Sequence, residues 1–214
     1  MKIIAELCQN HNGSFDAVQR MVDEAAAAGA THVKIQNIYA KNLAFRPQFE
    51  TGLEQGGKVL SIKRPWKPEY ERLKNLELSP DQCARFVQYC QQVGVVPLTT
   101  CFARGDISEI RSQGFQSIKI ASYDCASYPL LRELAANFEH LFISTGATFD
   151  DEIEHAVAVL RAENASYSLF HCVTIYPTPL EEMNLERLMW LRNLAPSVGF
   201  SDHSLVERDG VIAA

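Results

Sequence analysis

Seven stretches of this 214-residue chain end in side chains that can do chemistry. In order they are Glu6 with Gln9-Asn10-His11-Asn12-Gly13, Lys34-Ile35-Gln36, Thr99-Thr100-Cys101, Lys119-Ile120-Ala121-Ser122, Ser144-Thr145-Gly146, His171-Cys172 with Tyr176-Pro177, and Ser201-Asp202-His203. Lys34 and Lys119 among Thr100, Ser122, Ser144 and Ser201 make two cations among small hydroxyls, the donor set that recognises a phosphate or carboxylate. A lysine on an apolar strand needs a negative partner, met either by an anion or by a carboxylate such as Glu6. Glu6 is then either a structural carboxylate neutralised by a lysine or a proton-handling group tuned by it. His203 follows Asp202, and a neutral imidazole oriented by a carboxylate suits a divalent metal. A metal needs at least two such ligands, and spacing alone does not supply the second. His32, His140 and His155 read as surface or packing groups in helical or connecting positions.

These residues need strands to carry them. Apolar runs predict strands over 2–8, 32–38, 95–99, 117–121, 141–144, 167–173 and 197–201. Helices are expected over 15–28, 79–93, 107–113, 130–137, 149–163 and 185–194, with Ser79-Pro80 as a start and Gly94 as a stop. Residues 39–78 read as a long irregular segment with one short helix near 69–74, and loops of that length are usually functional. A further helix-like start follows Ser204. Alternating strands and helices imply a parallel sheet with right-handed crossovers. An open sheet gathers its ligand groups at one switch point, whereas a closed barrel collects them from many strand ends. Seven contributing ends therefore point to an α/β barrel of the TIM type, (β/α)8, forming one domain over residues 1–214. Seven of its eight strands can be read before the chain stops at Ala214.

Composition narrows the function classes. A net charge of −6 argues against a general nucleic-acid or anionic-membrane surface. No apolar run reaches the length of a membrane span, and the N-terminus has no signal-peptide pattern. Cys8, Cys83, Cys90, Cys101, Cys125 and Cys172 show neither C-x-x-C pairing nor zinc spacing, which fits a reducing cytoplasm. There is no G-x-G-x-x-G and no P-loop.

Taken together, the ordered strings from residue 5 to residue 204 resemble the sialic acid synthase family, which condenses phosphoenolpyruvate with an N-acetylated amino sugar. The resemblance implies a (β/α)8 barrel, a cytoplasmic transferase of carbohydrate biosynthesis, and a divalent metal, manganese foremost with magnesium or cobalt as substitutes. It places Lys34, Thr100, Lys119, Ser122, Ser144 and Ser201 around phosphoenolpyruvate. Glu6, Gln36 and Tyr176 would face the sugar and the reacting centre, His203 would be one metal ligand, and His171 would line the pocket. This sequence departs from the family at Thr174, where asparagine is frequent, and at Cys101, where proline is. The family's second metal histidine and its small C-terminal domain are not matched, so the chain alone is expected to be inactive and to bind manganese poorly. The implied partners are the two small substrates and, in assembly, further copies of the chain, with no nucleic acid or membrane.

Two other readings stay open. One is a synthase of a related nonulosonic acid, legionaminic or pseudaminic, with the sugar read by Arg46, Arg64, Trp66 and Tyr70. The other is a catalytically silent barrel that serves as a binding module.

Overall fold

The structure is a computed structural model that describes residues 1–205, so the helix-like start expected after Ser204 lies outside the described residues. The chain divides into two compact units, Met1–Pro97 and the part from Leu98 onward.

In the first unit, β1 (Ile4–Cys8) is followed by α1 (Phe15–Ala27) and β2 (His32–Ile35). The two strands are parallel, with Glu6 opposite Lys34 and an irregularity between Glu6 and Cys8. Val33 and Ile35 are fully buried on the face opposite Lys34, as the period-2 alternation requires. Phe15, Val18 and Val22 recur at helical spacing along the buried side of α1. The chain can turn from β1 into α1 because residue 13 is glycine. Its φ is +75°, and a Cβ there would lie 2.6 Å from the Asn75 carbonyl oxygen.

Residues 39–78 are not an irregular loop. They form a 3₁₀ turn at Ala40–Asn42, α2 (Pro47–Thr51), an antiparallel hairpin of β3 (Leu53–Gln55) and β4 (Lys58–Ser61), and α3 (Trp66–Leu76). The turn is Gly56-Gly57, both with positive φ, which matches the right-handed twist of a two-residue hairpin. Leu53, Val59, Leu60 and Ile62 are exposed on this ribbon. The four residues offered as sugar readers also make contacts within the segment. Trp66 stacks on Tyr70 at 4.9 Å and donates its ring N–H to the Leu43 carbonyl at 2.8 Å. Arg46 lies over Phe49 at 5.4 Å, and Arg64 reaches Glu69 at 4.0 Å.

The next helix, α4 (Pro80–Val93), begins and ends where local chemistry dictates. Ser79 and Gln82 form a reciprocal capping box, and Gly94 closes the helix at φ 90°. Such a cap stabilises a helix by about 1 kcal/mol. Cys83, Phe86, Val87 and Cys90 bury its inner side, and α4 packs on α1. The sheet is completed by β5 (Val96–Leu98), in the order β1-β2-β5.

The second unit carries α5 (Ile107–Ser112), β6 (Ser117–Ile120), α6 (Tyr128–Asn137), β7 (His140–Ser144), α7 (Asp150–Ala162), β8 (Tyr167–Cys172), α8 (Arg187–Leu191) and β9 (Val198–Ser201). The four strands are parallel and lie in sequence order. Ile118, Ile120, Leu141, Ile143 and Leu169 are fully buried on one face. The alternate residues Lys119, Phe142, Ser144, Phe170, Cys172, Gly199 and Ser201 share the other. One residue of slip would exchange the two faces. The polar face of these strands is thus written in the same register that builds the core.

Two histidine readings change. His140 lies on a strand, not in a connection, whereas His32 opens β2 where the predicted strand began. His140 bridges Ser166 at 2.7 Å and Ser168 at 2.8 Å. His171 does not share the face of Lys119. Its Nε2–H donates to the Met183 carbonyl at 2.7 Å, and its ring stacks on Phe200 at 5.8 Å. Alternation along β8 turns it toward the helix side, so it is a packing residue.

Candidate active site

Each unit brings one cluster together. In the first, the Lys34 ammonium sits 2.6 Å from a Glu6 oxygen, with the Lys34 side chain 3% exposed and that of Glu6 41% exposed. The other Glu6 oxygen accepts the Cys8 N–H at 3.0 Å, which the irregular end of β1 aims back at the carboxylate. Gln36 directs its amide N–H to the Cys8 sulfur at 3.9 Å. Burial, with Glu6 next, pushes the Cys8 thiol up to about 11, so it is neutral. Lys34 therefore has the carboxylate partner that the sequence offered as one of two readings.

In the second unit, Lys119 of β6 donates to the Ser144 hydroxyl of β7 and to the Ile120 carbonyl at 3.0 Å. Ser144 and the Ser201 hydroxyl of β9 are 3.0 Å apart. Three strands thereby deliver one ammonium and two hydroxyls to a single point. Thr100 joins by backbone, bridging Lys119 in parallel, and is buried. Ser122 stands just beyond the end of β6. Its hydroxyl accepts the Gly146 N–H at 3.1 Å, and its carbonyl accepts the Thr148 hydroxyl at 3.1 Å. Gly146 is required there because a Cβ would lie 2.7 Å from the Cys172 carbonyl oxygen.

Beside this cluster, His203 points Nδ1 at the Val173 carbonyl, 2.7 Å away. A carbonyl only accepts, so Nδ1 carries the proton and the lone pair of the neutral ring is on Nε2. That lone pair faces the Tyr176 hydroxyl at 2.9 Å. Burial pulls the His203 pKa down, but hydrogen bonds to Cys172 and the Val173 carbonyl, with the charges of Cys172 and Asp202, leave it raised. The reverse holds for Cys172. Burial pushes its thiol up, yet hydrogen bonds from His203 and Ser122 and the charges of His203 and Lys119 hold it below the ordinary value. Cys172 is a buried thiol, and its spatial neighbours His203 and Ser122 mark it out.

A carbonyl on Nδ1 and an unprotonated Nε2 are what a metal-ligating histidine needs, although here Nε2 is covered by the Tyr176 hydroxyl. Among the described residues, however, no group of three or more His, Cys, Asp or Glu side chains could hold a metal ion. The described residues offer one nitrogen of the right tautomer and no complete metal site. All six cysteines are free.

Polar groups at the C-terminal ends of parallel strands, with an apolar opposite face under helices, define an α/β protein of the strand-end-site class. The chain belongs to the NeuB family, whose profile matches residues 21–214. It is 32% identical over 207 residues to the spore coat polysaccharide biosynthesis protein SpsE of Bacillus subtilis, covering 94% of this chain and 53% of that one. It is 29% identical over 206 residues to the N,N'-diacetyllegionaminic acid synthase of Campylobacter jejuni, covering 94% of this chain and 60% of that one. Among solved structures, an N-acetylneuraminic acid (sialic acid) synthetase from Leptospira borgpetersenii superposes with a TM-score of 0.82 at 27% identity, over 99% of this chain and 68% of that one. The chain spans about half the length of the curated relatives it matches. Among the described residues, no helix is long and apolar enough to cross a membrane.

Proposed function

We propose that this chain is the greater part of the barrel of a nonulosonic-acid synthase, a (β/α)8 enzyme that condenses phosphoenolpyruvate with an N-acetylated amino sugar. The observation that carries the proposal is the convergence of Lys119, Ser144 and Ser201 from three adjacent strands, supported by membership of a family whose relatives include named acid synthases. An ammonium with two hydroxyls at strand ends is a receptor for a small dianion.

In the reaction, the enol carbon of phosphoenolpyruvate attacks the aldehyde carbon of the open-chain sugar. Water adds to the carbon that bore the phosphate, and phosphate leaves by C–O cleavage. Lys119, Ser144 and Ser201 would hold the anion, with Ser122 and Thr100 framing it and Lys34 as a second cation. That contribution is positional and electrostatic. Glu6, Gln36 and Tyr176 would face the sugar, with Glu6 handling a proton of the attacking water. His203 would supply one ligand to a divalent ion, manganese foremost, which as a Lewis acid would polarise the aldehyde. N-acetylmannosamine is the reference sugar, with the legionaminic and pseudaminic precursors as the second reading, supported by the N,N'-diacetyllegionaminic acid synthase among the relatives. A cytoplasmic setting suits both substrates.

Calorimetry on Lys119→Met tests the assignment. Affinity for phosphoenolpyruvate should fall at least tenfold while the circular dichroism spectrum is retained, since a charged hydrogen bond is lost. Unchanged affinity in a folded variant would remove Lys119 from the anion site and the proposal with it.

A further inference from the structure

Phe170 lies mid-strand on β8, on the same face as Cys172, and the Lys119 ammonium stands over its ring, 5.6 Å from the centroid. The ring is held on several sides. Phe142 of β7 meets it edge-on at 5.9 Å and 73°. His140, fixed by two serine hydroxyls, meets Phe142 in turn at 4.6 Å. On the far side, Gly199 of β9 is the register partner of Phe170, and a Cβ on Gly199 would lie 2.6 Å from the ring. The ring fits because residue 199 has no side chain. The neighbours form a column: His140, Phe142, Phe170 and then Lys119, with Ser144 in register with Phe170 and Ser201 two residues beyond Gly199 on the same face.

We infer that Phe170, seated against Gly199, is a positioning residue that holds the Lys119 ammonium in place for an incoming anion. A lysine ends in a mobile point charge on a flexible stem. The negative face of an aromatic ring restrains such a charge without neutralising it, which leaves its hydrogen bonds to the hydroxyls and the ligand. Glu6, the acid paired with Lys34, would instead compete with a bound anion. The inference rests on the reading of Lys119 as an anion-holding residue.

Three measurements on the protein test it. In the wild type, the ε-methylene protons of Lys119 should show an upfield ring-current shift in a ¹H–¹³C spectrum, and Phe170→Leu should abolish it. The same variant, which keeps apolar bulk but loses the π face, should weaken phosphoenolpyruvate binding about 3- to 30-fold in calorimetry, with the circular dichroism spectrum retained. Gly199→Ala should displace the ring and weaken binding, and adding Phe170→Leu to it should recover part of the loss. An unshifted Lys119 signal in the wild type, unchanged affinity in Phe170→Leu, or a double variant no better than Gly199→Ala would each overturn the inference. The wild-type spectrum decides even where a variant fails to fold. Unchanged affinity in Lys119→Met, with the ring-current shift seen in the wild type and lost in Phe170→Leu, would sink the anion reading alone, so the two failures are separable.

Discussion

Tyr176 and His203 form a closed pair: the rings stack at 4.0 Å and 29°, and the tyrosine hydroxyl donates to Nε2 at 2.9 Å. Tyr176 is nonetheless 71% exposed. The hydroxyl of this exposed ring covers the Nε2 lone pair of His203. Tyrosine and a metal would compete for the same lone pair. Tyr176→Phe should therefore strengthen manganese binding about 2- to 10-fold, the equivalent of one hydrogen bond. Electron paramagnetic resonance of free manganese reads this directly, and weaker binding in the variant would make Tyr176 a supporter of the metal and not its competitor.

Glu6 and Lys34 are coupled in stability as well as in any chemistry. Glu6→Gln leaves a buried ammonium without its counter-charge, a loss put at about 1–3 kcal/mol after allowance for the half-exposed carboxylate. Urea denaturation should show that loss, and Lys34→Met added to Glu6→Gln should restore much of it. No change in the single variant would mean that solvent reaches Lys34 despite its 3% exposure.

Asp124 gives the fold a pH signature. One of its carboxylate oxygens is buried without a hydrogen-bond partner, and burial raises its pKa from 3.8 to about 6. Between those values the folded state binds the proton that the unfolded state has released, so stability falls as pH rises from about 4 to about 6. The carboxylate is half-buried, so solvent screening limits the loss to about 1–2 kcal/mol. Asp124→Asn should flatten this part of the pH profile and make the protein more stable than wild type at pH 7.5. An unaltered profile by chemical denaturation at pH 4.5 and 7.5 would show that Asp124 is solvated.

Gly146→Ala should cost about 1–3 kcal/mol, because the new methyl meets a backbone carbonyl that cannot rotate away. Thermal melting should register the loss. A Tm within a degree of wild type would mean that the turn after β7 yields freely.

Much of this architecture is legible in the chain because its causes are local or periodic. Ser79, Pro80, Gln82 and Gly94 mark α4 by their own hydrogen bonds, so its limits can be read to the residue. Lys119, Ser144 and Ser201 stand out as polar residues at the ends of apolar runs, and parallel pairing in sequence order then brings them together. The β3–β4 hairpin escaped because its strands are three and four residues long and largely exposed, with no buried face to impose alternation. Its legible signal was Gly56-Gly57. The facing of His171 escaped because the residue next to a strand end points to whichever side the register dictates. The Tyr176–His203 pair depends on loops that meet only in three dimensions.

The hairpin leaves and rejoins the chain at nearly one place. A Cβ on Gly52 would lie 3.1 Å from the Lys63 backbone nitrogen, so the two stems of the ribbon stand side by side. Closing a longer loop between fixed stems costs little more than closing a short one. Residues 53–62 should therefore behave as a cassette: lengthening, shortening or rewriting them should leave the stems where they are. Diversification can proceed there while the lysines and serines of the strands stay under the constraint of register.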